Sequence, residues 1–340
     1  MKRHANLAIF IPHEGCPHQC SFCDQRGITG QAKPPSGDEV KNIIESAEGS
    51  GFDPKNSEIA FFGGSFTAVN RDYMIELLQA AAPYTGVGGF NGIRISTRPD
   101  EIDGERLSLL KEYRVTAIEL GAQSMDDEVL RLNNRGHTAA DTKKAAELIR
   151  EAGFSLGLQM MTGLYGDTNQ KSKRTAESLA GLNPDTMRIY PTVVLKGTKL
   201  DSLMSQGKYA PHKLDEAVSL CAQLLEFFEE NGINVIRAGL HYDKSLTDSI
   251  VAGPYHPAFR ELCESEIMLK RVKAEIEKAG LNPGGKNSFK KLEITIRVHP
   301  SCVSKMIGQR RKNIGRLLEY GYSCRIVADK SVPVINVKIK

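Results

Sequence analysis

The 340-residue sequence lacks any apolar run approaching the roughly 20 residues that are needed to span a bilayer. It also lacks the apolar segment of a signal peptide at its start, because residues 1–4 (MKRH) lead directly into a strand-like stretch. There is no internal repeat and no low-complexity tract, and the charged and apolar fractions, 25% and 40%, are those of an ordinary globular protein. These absences predict a cytoplasmic protein without a membrane partner.

The cysteines are few, odd in number and unevenly spread. There are seven, and Cys16, Cys20 and Cys23 fall within eight residues as CxxxCxxC. In a reducing compartment such clustering favours metal binding or catalysis over disulfides. Three thiolates on a short loop can ligate three irons of a [4Fe–4S] cluster and leave the fourth iron open to a ligand. A structural zinc site needs a fourth ligand, which no second CxxC supplies, although His13 or His18 could complete it.

Short apolar segments alternate with amphipathic ones over the first two-thirds of the chain. This pattern is typical of βα units that build a parallel sheet buried on both faces. Six units predict an α/β fold of the partial (βα)6 parallel barrel type, with a doubly wound open sheet as the alternative. The predicted strands are 7–11, 58–62, 92–96, 116–121, 155–160 and 186–194, and the predicted helices are 38–48, 73–82, 104–113, 139–151, 171–182, 211–231 and 256–278.

Distinctive residues follow or end each predicted strand. In a parallel barrel the carboxyl ends of all strands face one mouth, where barrel enzymes build their sites. We therefore expect these residues to surround one ligand, although glycines alone also suit tight turns. They are the three cysteines after the first strand, Gly63, Gly64 and Ser65 after the second, Thr97 after the third, Gln123 after the fourth, Gly163 after the fifth and Tyr190 on the sixth.

The cysteine loop resembles that of the radical S-adenosylmethionine (SAM) superfamily. Four further motifs, in order, resemble the radical SAM core of the elongator catalytic subunit over roughly residues 5 to 260. Two departures are that the subunit spaces its first two cysteines more widely, and that this chain has no room for the subunit's acetyltransferase domain. The motifs are FFGGSF (61–66), STRPDEI (96–102), IELGAQSMDDEVLRLNNRGHT (118–138) and RIYPTVVLKGTKLDSL (188–203).

The resemblance implies two cofactors, a [4Fe–4S] cluster on the three cysteines and SAM on the open iron. It implies one-electron cleavage of SAM to methionine and a 5′-deoxyadenosyl radical, with an electron donor such as ferredoxin or flavodoxin. It also implies contacts to SAM. Gly63, Gly64 and Ser65 would meet its amino group, Gln123 and Arg135 its ribose and carboxylate, Thr97 and Gln159 the ribose, and Gly163 and Tyr190 the adenine.

The C-terminal segment carries most of the positive charge. Residues 285–340 hold 13 Lys and Arg against three acids, a net charge of +10, whereas the whole chain carries +4. Such asymmetry points to a polyanionic partner. With the Pro-Gly-Gly-Lys stretch at 283–286 as a linker, the sequence predicts two domains, a radical SAM barrel with a helical extension over 1–284 and a basic module over 285–340.

The predicted order of elements in this module, β-α-turn-α-β-β, resembles a KH-type RNA-binding module. In that module a GxxG loop between two helices clamps a nucleotide backbone. Here Arg311 replaces the second glycine and the final helix is missing. The alternative is a solvated basic face on a small structural cap. The residues that we expect to contact RNA are Gly308, Arg310, Arg311, Lys312 and Arg316.

Three functions follow in order of preference. The first is a radical SAM enzyme that modifies RNA, with tRNA as the preferred substrate. The second is a radical SAM enzyme acting on a small metabolite, such as a tetrapyrrole or cofactor precursor, with the tail serving oligomerisation. The third is a non-catalytic RNA-binding protein stabilised by a zinc ion or cluster. The spare cysteines offer no spacing for the second cluster that methylthiolation would use.

Overall fold

The computed structural model describes residues 5–11, 16, 19–24, 33–50, 52–241, 244–282, 291–334 and 337–339. The chain divides into two compact units. The first comprises residues 1–213, 228–237 and 241–255, and the second 214–227, 238–240 and 256–340. The predicted linker at 283–286 lies outside the described residues. In the described part, no helix is long and apolar enough to cross a bilayer.

The first unit is built on a seven-stranded sheet. Its six N-terminal strands are joined in parallel pairs in the order of the sequence, and an additional strand that was not predicted, β8, extends the sheet beyond β6. The short β7 and β9 form a separate antiparallel pair. The strands are β1 (Ala5–Ile11), β2 (Ser57–Gly63), β3 (Ile93–Thr97), β4 (Val115–Gln123), β5 (Ser155–Thr162), β6 (Thr186–Pro191), β7 (Val194–Leu195), β8 (Asn234–Ala238) and β9 (Ile250–Ala252).

Helices alternate with these strands as the sequence predicted, and polar caps fix their starts. Ser36 and Glu39 form a capping box at α1, and Thr138 and Asp141 form one at α5. The helices are α1 (Gly37–Gly49), α2 (Arg71–Ala81), α3 (Gly104–Glu112), α4 (Asp127–Leu132), α5 (Ala139–Glu151), α6 (Asn169–Ala180), α7 (Lys199–Ser205), α8 (Leu214–Glu230), α9 (Lys244–Ser249) and α10 (Phe259–Lys278).

The strand order separates the two architectures that the sequence left open. Each crossover leads to the next strand in the same direction, and parallel crossovers are right-handed, so the helices lie on one face. A doubly wound sheet reverses its order at a switch point instead. The partial (βα)6 barrel is therefore confirmed, with one strand added.

A single contact shows how strongly the sheet curls. Strands β2 and β6 are four positions apart, which corresponds to about 19 Å in a flat sheet. The guanidinium carbon of Arg188 on β6 nevertheless lies 5.1 Å from the ring centroid of Phe62 on β2. The sheet must bend to bring these strands face to face, so it forms a half-barrel with a concave inner face.

The two faces of the sheet differ in chemistry. Ile9, Ile95 and Ile189 point to the outer, helix-covered face and are buried. Their neighbours on the concave face are polar or only partly buried. Phe10, Ser96, Arg188 and Tyr190 all lie there and keep partial exposure.

The second unit has its own core. Its sheet has the order β11-β10-β12, in which β10 pairs parallel with β11 and antiparallel with β12. Met268, Val272, Ile296 and Leu317 lie together in one buried cluster, so α10 belongs to this unit by its packing. The order predicted for the tail is observed. Its elements are β10 (Leu292–Val298), α11 (Val303–Ile307), α12 (Lys312–Glu319), β11 (Tyr322–Ala328) and β12 (Val337–Ile339).

Candidate active site

The cysteine loop follows β1 and is tied to two other parts of the first unit. The Ser21 backbone N–H donates to the Asn133 carbonyl at 3.1 Å, and the Ser21 hydroxyl donates to Asn133 Oδ1 at 2.5 Å. The Ser21 carbonyl accepts from the Leu200 N–H at 2.8 Å. Ser21 and Asn133 are buried. The loop between Cys20 and Cys23 is thus anchored at the end of α4 and the start of α7.

The Cys23 thiol lies next to the other two cysteines of the loop. Burial, and then the neighbouring Cys20 and Cys16, raise the pKa of the Cys23 thiol to about 12. Because a cluster needs thiolates, its assembly on this loop releases protons. The burial and the neighbouring cysteines that favour the protonated Cys23 thiol oppose this step. The remaining cysteines lie elsewhere in the sequence and form no disulfide, and burial raises the pKa of Cys263. His13 and His18, the alternative zinc ligands, lie outside the described residues.

Arg135 connects the cysteine loop to the end of β4. It is only 7% exposed; its Nη1 donates to the Cys20 sulfur at 3.2 Å and its Nη2 to the Gly121 carbonyl at 2.6 Å. Gln123 converges on the same point. A methyl group on Gly121 would lie 2.9 Å from Gln123 Nε2 and 3.4 Å from Arg135 Nη2. Thus two of the residues predicted to contact SAM meet beside a cysteine.

Several buried polar atoms in this region have no hydrogen-bond partner among the described residues. They are Gln123 Oε1, Arg135 Nε, Arg98 Nη1 and His137 Nδ1. Buried polar atoms are normally paired, and unpaired ones mark an absent ligand, ion or water. Two cationic donors and two acceptors beside three cysteines suit a zwitterion with carboxylate and ribose groups. The donor set fits a cluster that carries SAM.

His137 is a buried neutral imidazole at this site. Burial, and then the positive charge of Arg135, lower the pKa of His137 to about 4. Its Nε2 lies 3.2 Å from the Ala122 carbonyl, which can only accept, so Nε2 carries the proton and Nδ1 is an acceptor. His137 is not among the site residues predicted from the sequence. Its position two residues after Arg135 was the available signal.

The Gly63–Ser65 segment and Thr97 meet at the ends of β2 and β3. A Cβ on Gly63, which has φ of +113°, would lie 2.5 Å from the Ile11 carbonyl oxygen, and the Gly64 N–H donates to the same oxygen at 2.8 Å. The Ser65 and Thr97 hydroxyls bond at 2.8 Å, and the Thr67 and Thr97 hydroxyls at 2.6 Å. Close packing of β1 on β2 therefore already requires Gly63, and the hydroxyls of Ser65 and Thr97 satisfy one another.

The Gly163 turn after β5 is held from both sides. Its N–H donates to Asp167 Oδ2 at 2.9 Å, and its carbonyl accepts from the Tyr209 hydroxyl at 2.7 Å. With φ of +73°, a Cβ here would also lie 3.0 Å from His212 Nδ1. Two hydrogen bonds therefore hold this turn at the carboxyl end of β5.

Gln159 and Tyr190 belong to a network of charged side chains on the concave face that was not predicted from the sequence. Glu119 is 1% exposed and accepts from Arg188 at 2.8 Å, Arg94 at 3.3 Å and Gln159 at 3.2 Å. Arg94 also donates to Glu58 at 2.7 Å, and Arg188 to the Tyr190 hydroxyl at 3.4 Å. Polar residues at alternate strand positions, as in Ile-Glu-Leu-Gly (118–121) and Met-Arg-Ile-Tyr (187–190), were the signal.

In the second unit, the turn between α11 and α12 has left-handed backbone where the sequence has arginines. Gly308, Arg310 and Arg311 have φ of +75°, +50° and +59°. Arg311 thus adopts the conformation that a glycine favours. Lys312 pairs with Asp215 at 2.7 Å and Arg316 with Glu266 at 2.6 Å. The Arg310 and Arg311 side chains are exposed and have no partner within the described ranges.

Comparisons with known proteins agree with this fold. A model of the radical SAM superfamily matches residues 10–179, and a model of the radical SAM C-terminal domain matches 184–270. Matching half of the chain, the first model shows that the chain belongs to the radical SAM superfamily. Members use a [4Fe–4S] cluster and SAM, so this chain is a radical SAM enzyme with these cofactors.

The chain is also similar to two curated proteins and to one solved structure. A tRNA uridine(34) acetyltransferase of Methanocaldococcus jannaschii is 25% identical over 64% of this chain and 47% of its own length. Elongator complex protein 3 of Homo sapiens is 30% identical over 55% and 38%. The structure of the archaeal Methanocaldococcus infernus Elp3 aligns with a TM-score of 0.63 and 22% identity over 83% and 64%. The resemblance is confirmed, and the chain spans about half the length of these two relatives or less.

Proposed function

We propose that this enzyme reductively cleaves SAM and uses the resulting radical to modify RNA, with tRNA as the preferred substrate. With a cluster and SAM bound, delivery of one electron would cleave SAM to methionine and a 5′-deoxyadenosyl radical, and a ferredoxin or flavodoxin is the kind of donor that suits this step. Cys16, Cys20 and Cys23 would hold the cluster. Arg135 and Gln123 would orient SAM through their unpaired polar atoms.

The other predicted contacts divide into two groups. Gly64, whose N–H donates to the Ile11 carbonyl, and Gly163, which is fixed by Asp167 and Tyr209, would line the mouth beside the ligand. Gly63, Ser65 and Thr97 support the mouth through their packing and hydroxyl bonds. Gln159 and Tyr190 would act from the concave face, where their partners are Glu119 and Arg188.

The exposed Arg310–Arg311 pair is the observation that carries the RNA part of this proposal. Two adjacent guanidiniums in a left-handed turn, without carboxylate partners in the described part of the chain, form a natural phosphate contact. Lys312 and Arg316 are paired with Asp215 and Glu266, so they would contribute less. Gly308 shapes the turn. The name of the M. jannaschii relative, a tRNA uridine(34) acetyltransferase, supports tRNA as the substrate.

Salt-dependent binding of total tRNA tests this assignment. Binding should weaken as salt rises, with a log–log slope of about −0.7 per neutralised phosphate on single-stranded RNA. The double variant Arg310→Glu/Arg311→Glu should bind more weakly, and its slope should flatten by about two such contacts. Lys143→Glu/Lys144→Glu, an equal charge change on the exposed face of α5, is the matched control.

Two results would decide against RNA. If the parent protein shows no salt-dependent tRNA binding, the substrate is a small metabolite and the second unit is a structural cap. If the Arg310/Arg311 double variant binds as the parent does while iron content shows both are folded, the α11–α12 turn does not contact RNA.

A further inference from the structure

The concave face carries an aromatic pair that the cofactor site does not use. Phe10 on β1 and Phe62 on β2 are directly paired in register, and their ring centroids lie 6.5 Å apart with planes inclined by 46°. Phe10 is 40% exposed, and Phe62 is partly exposed. The neighbouring Ile9, Ile11 and Phe61 on the outer face are buried. An exposed phenylalanine inside a half-barrel presents a ring face to whatever enters it.

The guanidinium of Arg188 lies next to this aromatic pair. Arg188 reaches across the half-barrel from β6 and places its Cζ 5.1 Å from the Phe62 centroid, while Glu119 holds its Nη2 at 2.8 Å. The Nε of Arg188 is buried and has no hydrogen-bond partner among the described residues. The Arg188 guanidinium is therefore held by the Glu119 carboxylate and the Phe62 ring, and its Nε–H remains as a donor without a partner among the described residues.

The position of the pair connects it to the chemistry. Phe10 lies on the strand that leads into the cysteine loop, six residues before Cys16, and Phe62 directly precedes Gly63. Both are near the carboxyl ends of their strands, the end at which the mouth of the barrel opens. A ring stacked on Phe10 would contact β1, the strand that leads into the cysteine loop.

We infer that Phe10, Phe62 and Arg188 form a stacking site for a planar, hydrogen-bonding ring of the substrate, namely a nucleobase of the RNA. This inference rests on the proposed function. A nucleobase has a π-face that can stack on the phenylalanines and acceptor atoms at its edge that can bind Arg188. An aliphatic substrate could make only the apolar contact with the phenylalanines. Unpaired bases of RNA loops are the bases that can be splayed out to reach such a site.

The sequence itself supplies the reporter for the test, because it contains no tryptophan. The variant Phe10→Trp has one indole, on the concave face, and we expect its fluorescence to be quenched by total tRNA and by uridine 5′-monophosphate. Val87→Trp is the matched control, since Val87 is fully exposed in the loop that enters β3, at the opposite end of the sheet. Its emission should not respond to the mononucleotide.

Affinity measurements give a second readout that does not depend on the reporter. Phe10→Leu and Phe62→Leu keep apolar bulk but lose the ring, and each should weaken tRNA binding by roughly 5- to 150-fold, the range for loss of one stacked base. Phe10→Tyr keeps the ring and should retain the parent affinity. Iron content after reconstitution shows that each variant is folded.

The outcomes separate this inference from the proposed function. If the parent binds tRNA and the leucine variants bind it equally well, the stacking site is wrong and the function stands. If the parent does not bind tRNA, the function fails, and quenching of Phe10→Trp by uridine 5′-monophosphate decides the inference alone. Quenching by SAM but not by the mononucleotide would assign the ring to the adenine of SAM and overturn the inference.

Discussion

At the scale of single residues, Arg135 is the side chain that joins the cysteine loop to the predicted SAM contacts. Arg135→Ala removes a buried charged donor, so SAM affinity should fall by about 1.5–3 kcal/mol, the usual value for a hydrogen bond to a charged group. Equilibrium binding of SAM to the reconstituted parent and variant proteins measures this loss of affinity. Arg131→Ala, an exposed arginine on α4, is the control. A cluster-loaded Arg135→Ala protein with the parent's SAM affinity would remove this residue from the site.

Gly63 illustrates how packing and ligand binding can require the same glycine. Its φ of +113° and the 2.5 Å approach of Ile11 oxygen to a Cβ predict that Gly63→Ala lowers the free energy of unfolding by at least about 1–3 kcal/mol. Thermal unfolding of the cluster-free protein measures this. Gly49→Ala, at the end of α1 with open space around it, should be neutral or slightly stabilising. Equal stability of the Gly63→Ala and Gly49→Ala variants would contradict the close packing of β1 and β2.

At the scale of elements, the strands of the half-barrel have two faces with different roles. The outer residues form the core under the helices, while Glu119, Arg94 and Arg188 form a buried ionic network on the inner face. Removing one member leaves buried charges uncompensated. Glu119→Ala should therefore cost about 3–5 kcal/mol of stability.

An exposed ion pair provides the comparison for Glu119. Lys171 and Glu128 are 2.7 Å apart, but the Glu128 side chain is 63% exposed. Glu128→Ala should cost less than about 1 kcal/mol, because water screens and replaces the pair. Denaturant unfolding of the two variants measures the difference. Similar costs would show that the network on the concave face is solvated.

The strands also show where sequence reasoning succeeds and where it stops. Apolar runs of five to nine residues separated by capped amphipathic helices were sufficient to predict β1 to β6 and their parallel pairing. The short, polar-edged β8 (Asn234–Ala238) carried too weak a pattern, and a break at Thr192 and Val193 divides one predicted strand into β6 and β7. Treating the strands as continuously apolar concealed Glu119 and Arg188, whose alternation becomes visible only once the sheet is known to curl.

For the site, residue types could be predicted from the sequence, but their partners could not. The cysteine spacing predicts a cluster from coordination chemistry alone. That Lys312 and Arg316 would be paired with Asp215 and Glu266 could not be read, because these acids lie 97 and 50 residues away in the chain. Ion pairs between distant segments depend on packing that local patterns do not encode.

At the scale of the whole molecule, a catalytic half-barrel and a basic unit are carried on one chain. The central claim is that the half-barrel cleaves SAM and that the enzyme uses the resulting radical to modify RNA. After anaerobic reconstitution we expect about four iron and four sulfide per chain. Cys16→Ala, Cys20→Ala and Cys23→Ala should each abolish the cluster, whereas Cys221→Ala and Cys263→Ala should retain it.

The most direct measurement is the formation of 5′-deoxyadenosine from SAM by the reconstituted protein with dithionite, in the presence and absence of total tRNA. We predict that 5′-deoxyadenosine forms only when the three-cysteine loop is intact and that tRNA changes its rate. A protein that holds about four iron and binds SAM but yields no 5′-deoxyadenosine under either condition would contradict the account.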